Sequence, residues 1–534
     1  MGNNAIEPTE GITSYALIPY GILNREISSA TRSSFEKELG EIIKLYRVYK
    51  EGADFLTEGT NGDYVAATLR YKNAKSILNK EARFLYSKTP DILVNALDIN
   101  NKKAKETADI YQNLVNKVFK KNKFKHKLLR AAKDCFIGKR IAIMLNFNPN
   151  TGVGISFVKS LEFYYEVDPY EENKLSKIIT FCRVRDSENL ADVRIFCKKY
   201  WMGEDGYCYV HEDMCDGSGV IIEEVTPDTR TLFEYIPATV VINDGLLGDG
   251  QGESEIEELM NDESWYSKLA NADMDAERKS MNPTKYTMDC SPESTSNLST
   301  AAGAYWDLQS DQNSATDKQG SAGILEPTMA YKDALKVTLD RIKNTMYEKV
   351  DVPNVSSEAL QGVVTSGKTL KAIYWGLIVR CDEKMLAWEP ALEFMTETII
   401  EGCKLYPECL SFYNVDKLED IDYEVNITNN YPLPEDEIEE KTMDNTEVIN
   451  QNMSRRAYMK KWRGLTDEEV TEELKQIAIE REILEDSYSG LPEIDNTSPQ
   501  FKKAGNEAEN EQENGDENQT IQGETEEQTI DETE

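Results

Sequence analysis

The sequence contains only two histidines, His126 and His211, in 534 residues. Histidine is the usual proton carrier of enzymes near neutral pH, so few residues are available here for histidine-based catalysis. No apolar run approaches the roughly 18–20 residues that a membrane-spanning helix needs, and we therefore expect no membrane span. The N-terminus also lacks the basic-then-apolar pattern of a signal peptide, which predicts synthesis and residence in a cytosol-like compartment.

Basic residues are far outnumbered by acidic ones. The sequence has 60 basic and 97 acidic residues, and its net charge of −37 argues against binding nucleic acid or anionic membrane over the whole surface. The end of the chain is especially acidic and almost without apolar residues, which predicts a disordered tail over residues 489–534. Nine cysteines, an odd number, are scattered from Cys135 to Cys409 and are typical of buried free thiols rather than a disulfide framework.

The longest helical pattern runs from Ser366 to Leu405, with apolar residues at steps of three and four that share one helix face. These apolar residues are Leu370, Ile373, Leu377, Cys381, Met385, Trp388, Leu392, Met395 and Ile399. Pro390 lies inside the pattern and predicts a kink at or just before Trp388, because proline removes a helix hydrogen bond. A helix of roughly 60 Å is a framework element, since it is far longer than the average.

A second amphipathic helix precedes the long one. Its apolar stripe consists of Leu335, Leu339, Ile342, Met346 and Val350. The connection between the two helices contains Pro353, Gly362 and Gly367, which favour a loop rich in small residues.

The remaining periodicity alternates between helix and strand. We predict an irregular arm over 1–27 and a mostly β region over 140–242, where the apolar period changes from helical to strand-like. Helices are predicted at 28–49, 73–86, 103–118, 125–136, 254–280, 434–451, 454–462 and 467–486. Strands are predicted at 140–147 and 154–159, which would form a hairpin, and at 161–167, 177–185, 191–201, 207–212, 220–224, 231–242 and 423–428. Residues 283–326 are predicted to form a small, loopy insertion that contains β structure. The fold class is therefore α+β and mainly helical.

Two motifs offer sites that we weigh against simpler interpretations. Gly248-Asp-Gly-Gln-Gly252 lies between a strand and a helix like a phosphate cradle, but no P-loop lysine follows it and its acidic neighbours would repel phosphate, so a flexible joint is favoured. Cys197, Cys208, His211 and Cys215 have no common zinc spacing, and Cys208 and His211 face opposite sides of one strand. We predict no catalytic residue, no metal and no cofactor.

The densest basic run also has two interpretations. Its members are Lys117, Lys120, Lys121, Lys123, Lys125, Lys127, Arg130 and Lys133. The run indicates either a surface for nucleic acid or a partner, or a solvated helical surface that balances acidic neighbouring subunits, and we favour the second.

Five segments, in this order, resemble the portal proteins of tailed bacteriophages with long non-contractile tails. The first two are Asn73–Asn79 with Phe84–Pro90, and Asn122–Phe124 with Ile137–Lys139. The third is Gly252-Glu-Ser-Glu-Ile-Glu-Glu-Leu-Met-Asn-Asp262, and the fourth is Gly362-Val-Val-Thr-Ser-Gly367-Lys-Thr-Leu-Lys. The fifth combines Met453-Ser-Arg-Arg with Gly464-Leu-Thr-Asp-Glu-Glu. The matches span residues 28–486.

The resemblance implies a phage portal fold with wing, stem, clip and crown regions around the long kinked helix. It divides the chain into the arm 1–27, the wing 28–253 with its β lobe 140–242, the first stem helix 254–280, the clip 281–328, the second stem helix 329–350, the tunnel loop 351–365, the long wing helix and return strand 366–432, the crown 433–488 and the tail 489–534.

The resemblance also implies a function without catalysis. Such proteins form a ring of about twelve subunits at one capsid vertex, assembled in the host cytoplasm, through which double-stranded DNA is packaged and ejected. The implied partners are the terminase large subunit, head-completion or adaptor proteins, and the major capsid and scaffolding proteins, with no membrane. The residues by themselves leave open a helical scaffold or accessory protein of nucleic-acid metabolism, or an enzyme of that metabolism, for which no convincing catalytic cluster is present.

Three groups of site residues follow from the resemblance. The channel constriction would be formed by Asp351, Val352, Pro353, Asn354, Val355, Ser356, Ser357 and Glu358. The stem lysines Lys332, Lys336, Lys343 and Lys349 would face the channel, or would instead pair within their helix with Asp333, Asp340 and Glu348. The clip residues that would dock terminase or adaptor are Lys285, Tyr286, Tyr305 and Trp306.

Overall fold

The structure is a computed structural model. It describes residues 20–56, 65–98, 100–171, 174–185, 193–245, 250–281, 284–296, 298–299, 305–313, 319–325, 329–355, 367–415, 417–433 and 437–489. Several predictions fall outside these residues: the arm before Tyr20, Gly248 and Asp249 of the glycine motif, Ser356, Ser357 and Glu358 of the constriction, and the tail after Ser489. The chain divides into two compact units, Met1–Pro434 and Glu435–Glu534.

Ten helices lie in the described part of the first unit. They are α1 (Tyr20–Glu26), α2 (Ser29–Glu51), α3 (Asn73–Tyr86), α4 (Lys102–Asn122), α5 (Phe124–Gly138), α6 (Glu255–Met281), α7 (Pro292–Thr295), α8 (Lys332–Lys349), α9 (Gly367–Ile373) and α10 (Trp375–Leu405). Polar side chains fix several starts: the Ser28 hydroxyl accepts from the Thr31 amide, and Asn101 accepts from the amides of Lys103 and Ala104. No helix of the described residues is long and apolar enough to cross a membrane.

The described residues of the first unit also form twelve strands. They are β1 (Asp91–Ala96), β2 (Arg140–Asn148), β3 (Gly152–Lys159), β4 (Phe163–Val167), β5 (Leu175–Arg185), β6 (Val193–Met202), β7 (Cys208–Asp216), β8 (Ile221–Arg230), β9 (Ala238–Ile242), β10 (Thr284–Met288), β11 (Ser321–Leu325) and β12 (Tyr423–Thr428). The β region forms a three-stranded sheet in the order β3-β2-β9 and a five-stranded antiparallel sheet in the order β4-β5-β6-β7-β8. Two further pairs, β1 with β12 and β10 with β11, are also antiparallel.

The second unit contains three helices among its described residues. They are α11 (Glu437–Ile449), α12 (Arg455–Arg463) and α13 (Asp467–Ser489). Ser454 caps α12, because its hydroxyl accepts from the Ala457 amide, and Gly464 ends that helix in the left-handed conformation.

The long helical pattern passes through the main core. Seven of its nine predicted apolar residues, from Leu377 to Ile399, are buried, and Trp388 is only 1% exposed, with its ring edge-to-face against Tyr86. The predicted single helix is two helices, because the helical run is interrupted at Tyr374 between α9 and α10. Helical structure continues through Pro390, and the kink near Trp388 stays a prediction.

Four other features of the structure differ from the sequence predictions. Residues 20–26 form α1 rather than an irregular arm, because tertiary packing buries Ile22 and Leu23 completely. Gly21 allows this packing, since a Cβ there would lie 2.8 Å from the Ser218 carbonyl oxygen. Residues 231–237 are not part of a strand, and β1 was not predicted at all. The cysteines are free as expected, but Cys182 is exposed and Cys290 is half-buried.

Candidate functional site

The helices α6 and α8 form an antiparallel pair that leads from the core to the strands β10 and β11. The Lys332 ammonium lies 2.5 Å from Glu277, near the end of α6, and the Lys349 ammonium lies 2.6 Å from Asp262, nearer its start. The alternative of pairing within α8 is therefore wrong for both lysines, because their partners lie on α6. Lys336 and Lys343 have no carboxylate partner within the described residues.

One face of α6 binds an extended segment of the chain, residues 65–72, and the first residues of α3, Asn73 and Ala74. The amides of residues 67, 69, 71 and 73 donate in turn to Asp275, Asn271, Ser267 and Glu263 at 2.8–3.3 Å. The spacings match, since every second residue of an extended chain advances about 6.6 Å and every fourth residue of a helix about 6 Å. This face of α6 is therefore covered by the protein itself.

Glu263 has a second role at the end of this ladder. Its two carboxylate oxygens accept from the amides of Asn73 and Ala74, which begin α3, at 2.8 and 3.1 Å. The carboxylate is fully buried, and burial raises its pKa although both amides favour the ionised form. A side chain of α6 thus satisfies the free amides at the start of another helix, whose preceding residue Lys72 provides no side-chain cap.

The start of α6 is fixed by a buried ionic cluster of Glu81, Glu255, Arg380 and Lys384, from α3, α6 and α10. Arg380 and Lys384 both bind Glu255 closely, and the two cations hold the pKa of Glu255 below its ordinary value despite burial. Glu81 lies farther from Lys384, at 3.6 Å, and its other oxygen has no hydrogen-bond partner among the residues that the structure describes. Burial, with the Glu255 charge nearby, raises the pKa of Glu81 to about 7. The cluster joins three framework helices without a net charge when all four groups are ionised.

The predicted clip residues lie in and beside the β10–β11 pair. The Lys285 ammonium lies 5.3 Å from the centre of the Trp306 ring, and the Trp306 indole donates to the Ser299 carbonyl at 2.6 Å. The Tyr286 ring covers Gly323 of the opposite strand, where an added Cβ would lie 2.5 Å from the ring. Tyr305 is 89% exposed. The structure therefore brings Lys285 and Trp306 together and leaves Tyr305 fully available to a partner.

The described part of the predicted constriction, residues 351–355, is held against the end of α8. The Val352 amide donates to the Tyr347 carbonyl, and the Asn354 amide group donates to Asn344 at 2.7 Å. Val352 is only 3% exposed and belongs to the main core. Its inclusion among channel-facing residues is therefore wrong, because a core side chain is not available to DNA. Asp351, Pro353, Asn354 and Val355 remain exposed or half-buried.

The basic run over 117–133 is not a uniform solvated surface. The Lys117 ammonium donates to the Tyr413 carbonyl at 2.8 Å, the Lys127 ammonium donates to the Ile155 carbonyl at 2.5 Å, and Lys121 lies over the Phe412 ring. These three lysines fasten α4 and α5 to their neighbours, and the solvated interpretation is wrong for Lys117 and Lys127, which are half-buried, whereas Lys121 is exposed as predicted. Lys120, Lys123 and Lys125 are exposed and line a groove of about 1090 Å³.

The residues considered for zinc do not converge. Both ring nitrogens of His211 face carboxylates, Asp213 at 3.0 Å and Asp228 at 2.8 Å, while Cys208 packs in a separate hydrophobic cluster. In the described part of the chain, no group of three or more His, Cys, Asp or Glu side chains has a metal-binding arrangement.

Sequence reasoning missed the ladder on α6 and the ionic cluster. The available signal for the ladder was polar residues at intervals of four, Glu263, Ser267, Asn271 and Asp275, on a helix whose apolar stripe is weak. The cluster had no comparable signal, because its members come from three helices separated by more than a hundred residues.

A protein-family model described as "Phage portal protein, SPP1 Gp6-like" matches residues 31–483, which is most of the chain. No curated protein matches the chain.

Proposed function

The chain belongs to the SPP1 Gp6-like family of phage portal proteins, and from this membership we propose a closed ring of about twelve subunits at one vertex of the capsid. Portal proteins self-assemble and form the channel through which DNA enters and leaves the head. The family is structural rather than enzymatic, and membership implies a place in the virion capsid.

The antiparallel pair α6–α8, joined at one end by β10 and β11, is the observation that supports the proposal most. In this arrangement α6 and α8 are the stem, the region 281–328 is the clip, and the helices over 437–489 are the crown. The ladder on α6 and the buried cluster at its start would hold the stem at a fixed angle to residues 65–74 and α10. A channel wall needs such rigidity, because DNA is driven past it.

The second stem helix is poorly covered by its own subunit. In α8 only Met346 and Tyr347 are buried, whereas Leu335 is half-buried and Val337 is 66% exposed. Exposed apolar side chains on an amphipathic helix are typical of surfaces that another chain covers. A neighbouring subunit in the ring would provide this cover.

The lumen would be lined by Lys336 and Lys343 among mostly acidic neighbours. Lys332 and Lys349 contribute less, because each already pairs with a carboxylate of α6. A wall with few free cations would let DNA slide, since many strong phosphate contacts would retain it.

We propose the constriction for Asp351, Pro353, Asn354 and Val355 together with residues 356–358, without Val352. Small polar groups and the carboxylate of Asp351 would contact DNA sterically rather than hold its phosphates. Cysteine at Val355 or Ser356 should cross-link to DNA in filled heads, and bulky replacements there should slow packaging while rings still assemble. If cysteine there does not cross-link to DNA and bulky replacements do not slow packaging, these residues do not form the constriction.

The clip would dock the terminase large subunit during packaging and head-completion or adaptor proteins afterwards. Tyr305 is the residue most available for this contact, while the contact between Lys285 and Trp306 would stabilise the conformation of the surrounding surface. The wing would contact the major capsid and scaffolding proteins. A Tyr305→Ala variant should form normal rings that bind terminase more weakly.

The mass of the purified assembly tests the proposal as a whole. We expect a large cyclic oligomer of the 60.7 kDa chain by native mass spectrometry, and a ring with a central channel by electron microscopy. A species that stays monomeric at every concentration would overturn it and favour a scaffold outside the portal vertex.

A further inference from the structure

The groove beside the basic run has an apolar floor. The rings of Phe119 and Phe124, from the end of α4 and the start of α5, stack with their centres 4.3 Å apart and their planes at 13°. Leu93 of β1, which is 50% exposed, and the half-buried Leu129 extend the same floor. A cavity of about 1090 Å³ on such a floor has room for several side chains of another polypeptide.

The rim of this groove carries positive charge that the subunit does not neutralise. Lys120, Lys123 and Lys125 have no ion pair within the described residues, and all three are exposed. Asp91 also lines the groove and accepts from the Asn430 side chain at 2.7 Å, and its charge leaves a surplus of two positive charges among the groove residues. In a chain with 97 acidic residues, three unpaired neighbouring lysines are a local exception. An occupant with carboxylates beside apolar side chains would complement the groove.

The same chain carries a surface of that composition. The first half of β8, Ile221–Val225, lies at the edge of the five-stranded sheet and is exposed throughout. Ile221, Ile222 and Val225 are 42%, 56% and 46% exposed, and Glu223 and Glu224 have no ion pair within the described residues. The unpaired backbone N–H and C=O groups of an edge strand can form hydrogen bonds with another chain.

We infer that the groove of one subunit binds the β8 edge, Ile221–Val225, of the next subunit in the ring. The contact is head-to-tail: two different surfaces of one chain complement each other, which is the requirement for a closed ring of identical subunits. Adjacent residues of a strand point to opposite faces, so one of the two glutamates meets Lys120 or Lys123 beside the aliphatic side chains that cover the stacked phenylalanines, and the other lies at the rim of the contact. The inference rests on the proposed ring and specifies one of its contacts.

A charge exchange tests the contact. One variant reverses the charge of the groove with Lys120→Glu and Lys123→Glu, and another reverses the charge of the strand with Glu223→Lys and Glu224→Lys. Each should raise the protein concentration needed for half-maximal ring formation at least tenfold at low salt, because like charges then meet. The chain that carries all four substitutions should recover ring formation. Lys103→Glu with Lys105→Glu is the matched control, since both lysines are exposed on α4 away from the groove and the charge change is the same.

The readouts are the fraction of ring by analytical ultracentrifugation and the melting profile of each variant, which shows that the subunit is folded. Unchanged ring formation in a reversed variant, or no recovery in the four-fold variant, would overturn the contact. A groove reversal that leaves rings intact but lowers DNA retention in heads would also overturn it, in favour of nucleic acid. In each of these cases wild-type rings would leave the portal assignment standing, whereas absence of wild-type rings would count against that assignment.

Discussion

The helix α6 carries charged and hydrogen-bonding side chains on two sides that differ in their exposure to water. On one side, Glu255 and Glu263 are buried and bind cations or amides of other elements. On the side toward α8, Asp262 and Glu277 pair with lysines that remain partly in water. Desolvation makes the first kind of contact costly to break, while water and salt weaken the second. The same residue types therefore fix the stem in one place and only adjust its surface charge in the other.

The largest effect should come from the buried cluster. Glu255→Ala removes the nearest partner of both Arg380 and Lys384 and leaves the two cations with Glu81 and, for Arg380, a longer contact of 3.9 Å with Glu258, so we expect a loss of roughly 3–5 kcal/mol of subunit stability. Chemical denaturation of the purified protein measures it. The control is Glu257→Ala, an exposed acid of the same helix that pairs with Lys139, for which roughly 0–1 kcal/mol is expected. Equal losses in both variants would abolish the distinction between the two sides.

The ladder should give the next largest effect. Glu263→Ala leaves the buried Ala74 amide and the half-buried Asn73 amide without acceptors, and a buried unsatisfied group costs roughly 1–3 kcal/mol. Glu263→Gln keeps one acceptor oxygen and should lose less. Limited proteolysis within residues 65–73 reports the release of this segment directly. If the alanine variant resists the protease as the wild type does, the ladder does not hold the segment in place.

A smaller effect should appear as a dependence on pH. The pKa of Glu81 is about 7 in the folded protein, above the ordinary value of 4.5, so folding favours its protonated form. That stability is fully present below about pH 4.5 and is lost as the pH rises through about 7. Thermal melting between pH 5 and pH 8 should therefore show a decline that Glu81→Gln reduces, because the amide cannot ionise. Identical profiles for the two proteins would show that Glu81 is not the group responsible.

The smallest effect should come from the exposed pairs. Lys349→Met removes the contact with Asp262 but leaves both positions in water, so we expect a change below about 1 kcal/mol that disappears in high salt. Melting curves at low and high ionic strength measure it. A loss as large as that of Glu255→Ala would mean that a neighbouring subunit buries this pair in the assembly.

Much of the helical framework could be predicted from local signals. The predicted bounds of α3 and β12 are those of the structure, and seven residues of the α10 stripe are buried as expected. Local signals failed where another part of the chain decides the outcome: α1 is helical because Ile22 and Leu23 pack in the core, and β1 is a strand because β12 pairs with it. For the site residues, the sequence identified which lysines were available but not which of them already had partners.

The sequence by itself determined the periodicity of the long helices, the excess of negative charge and the ordered motifs of the family, because these are properties of neighbouring residues along the chain. Only the tertiary structure decided that α6 holds residues 65–74, that Val352 belongs to the core, and that Lys120 and Lys123 border a groove. The ladder joins residues 190–208 positions apart. No local pattern encodes such a contact, since its free energy depends on the water that folding removes from both partners at once.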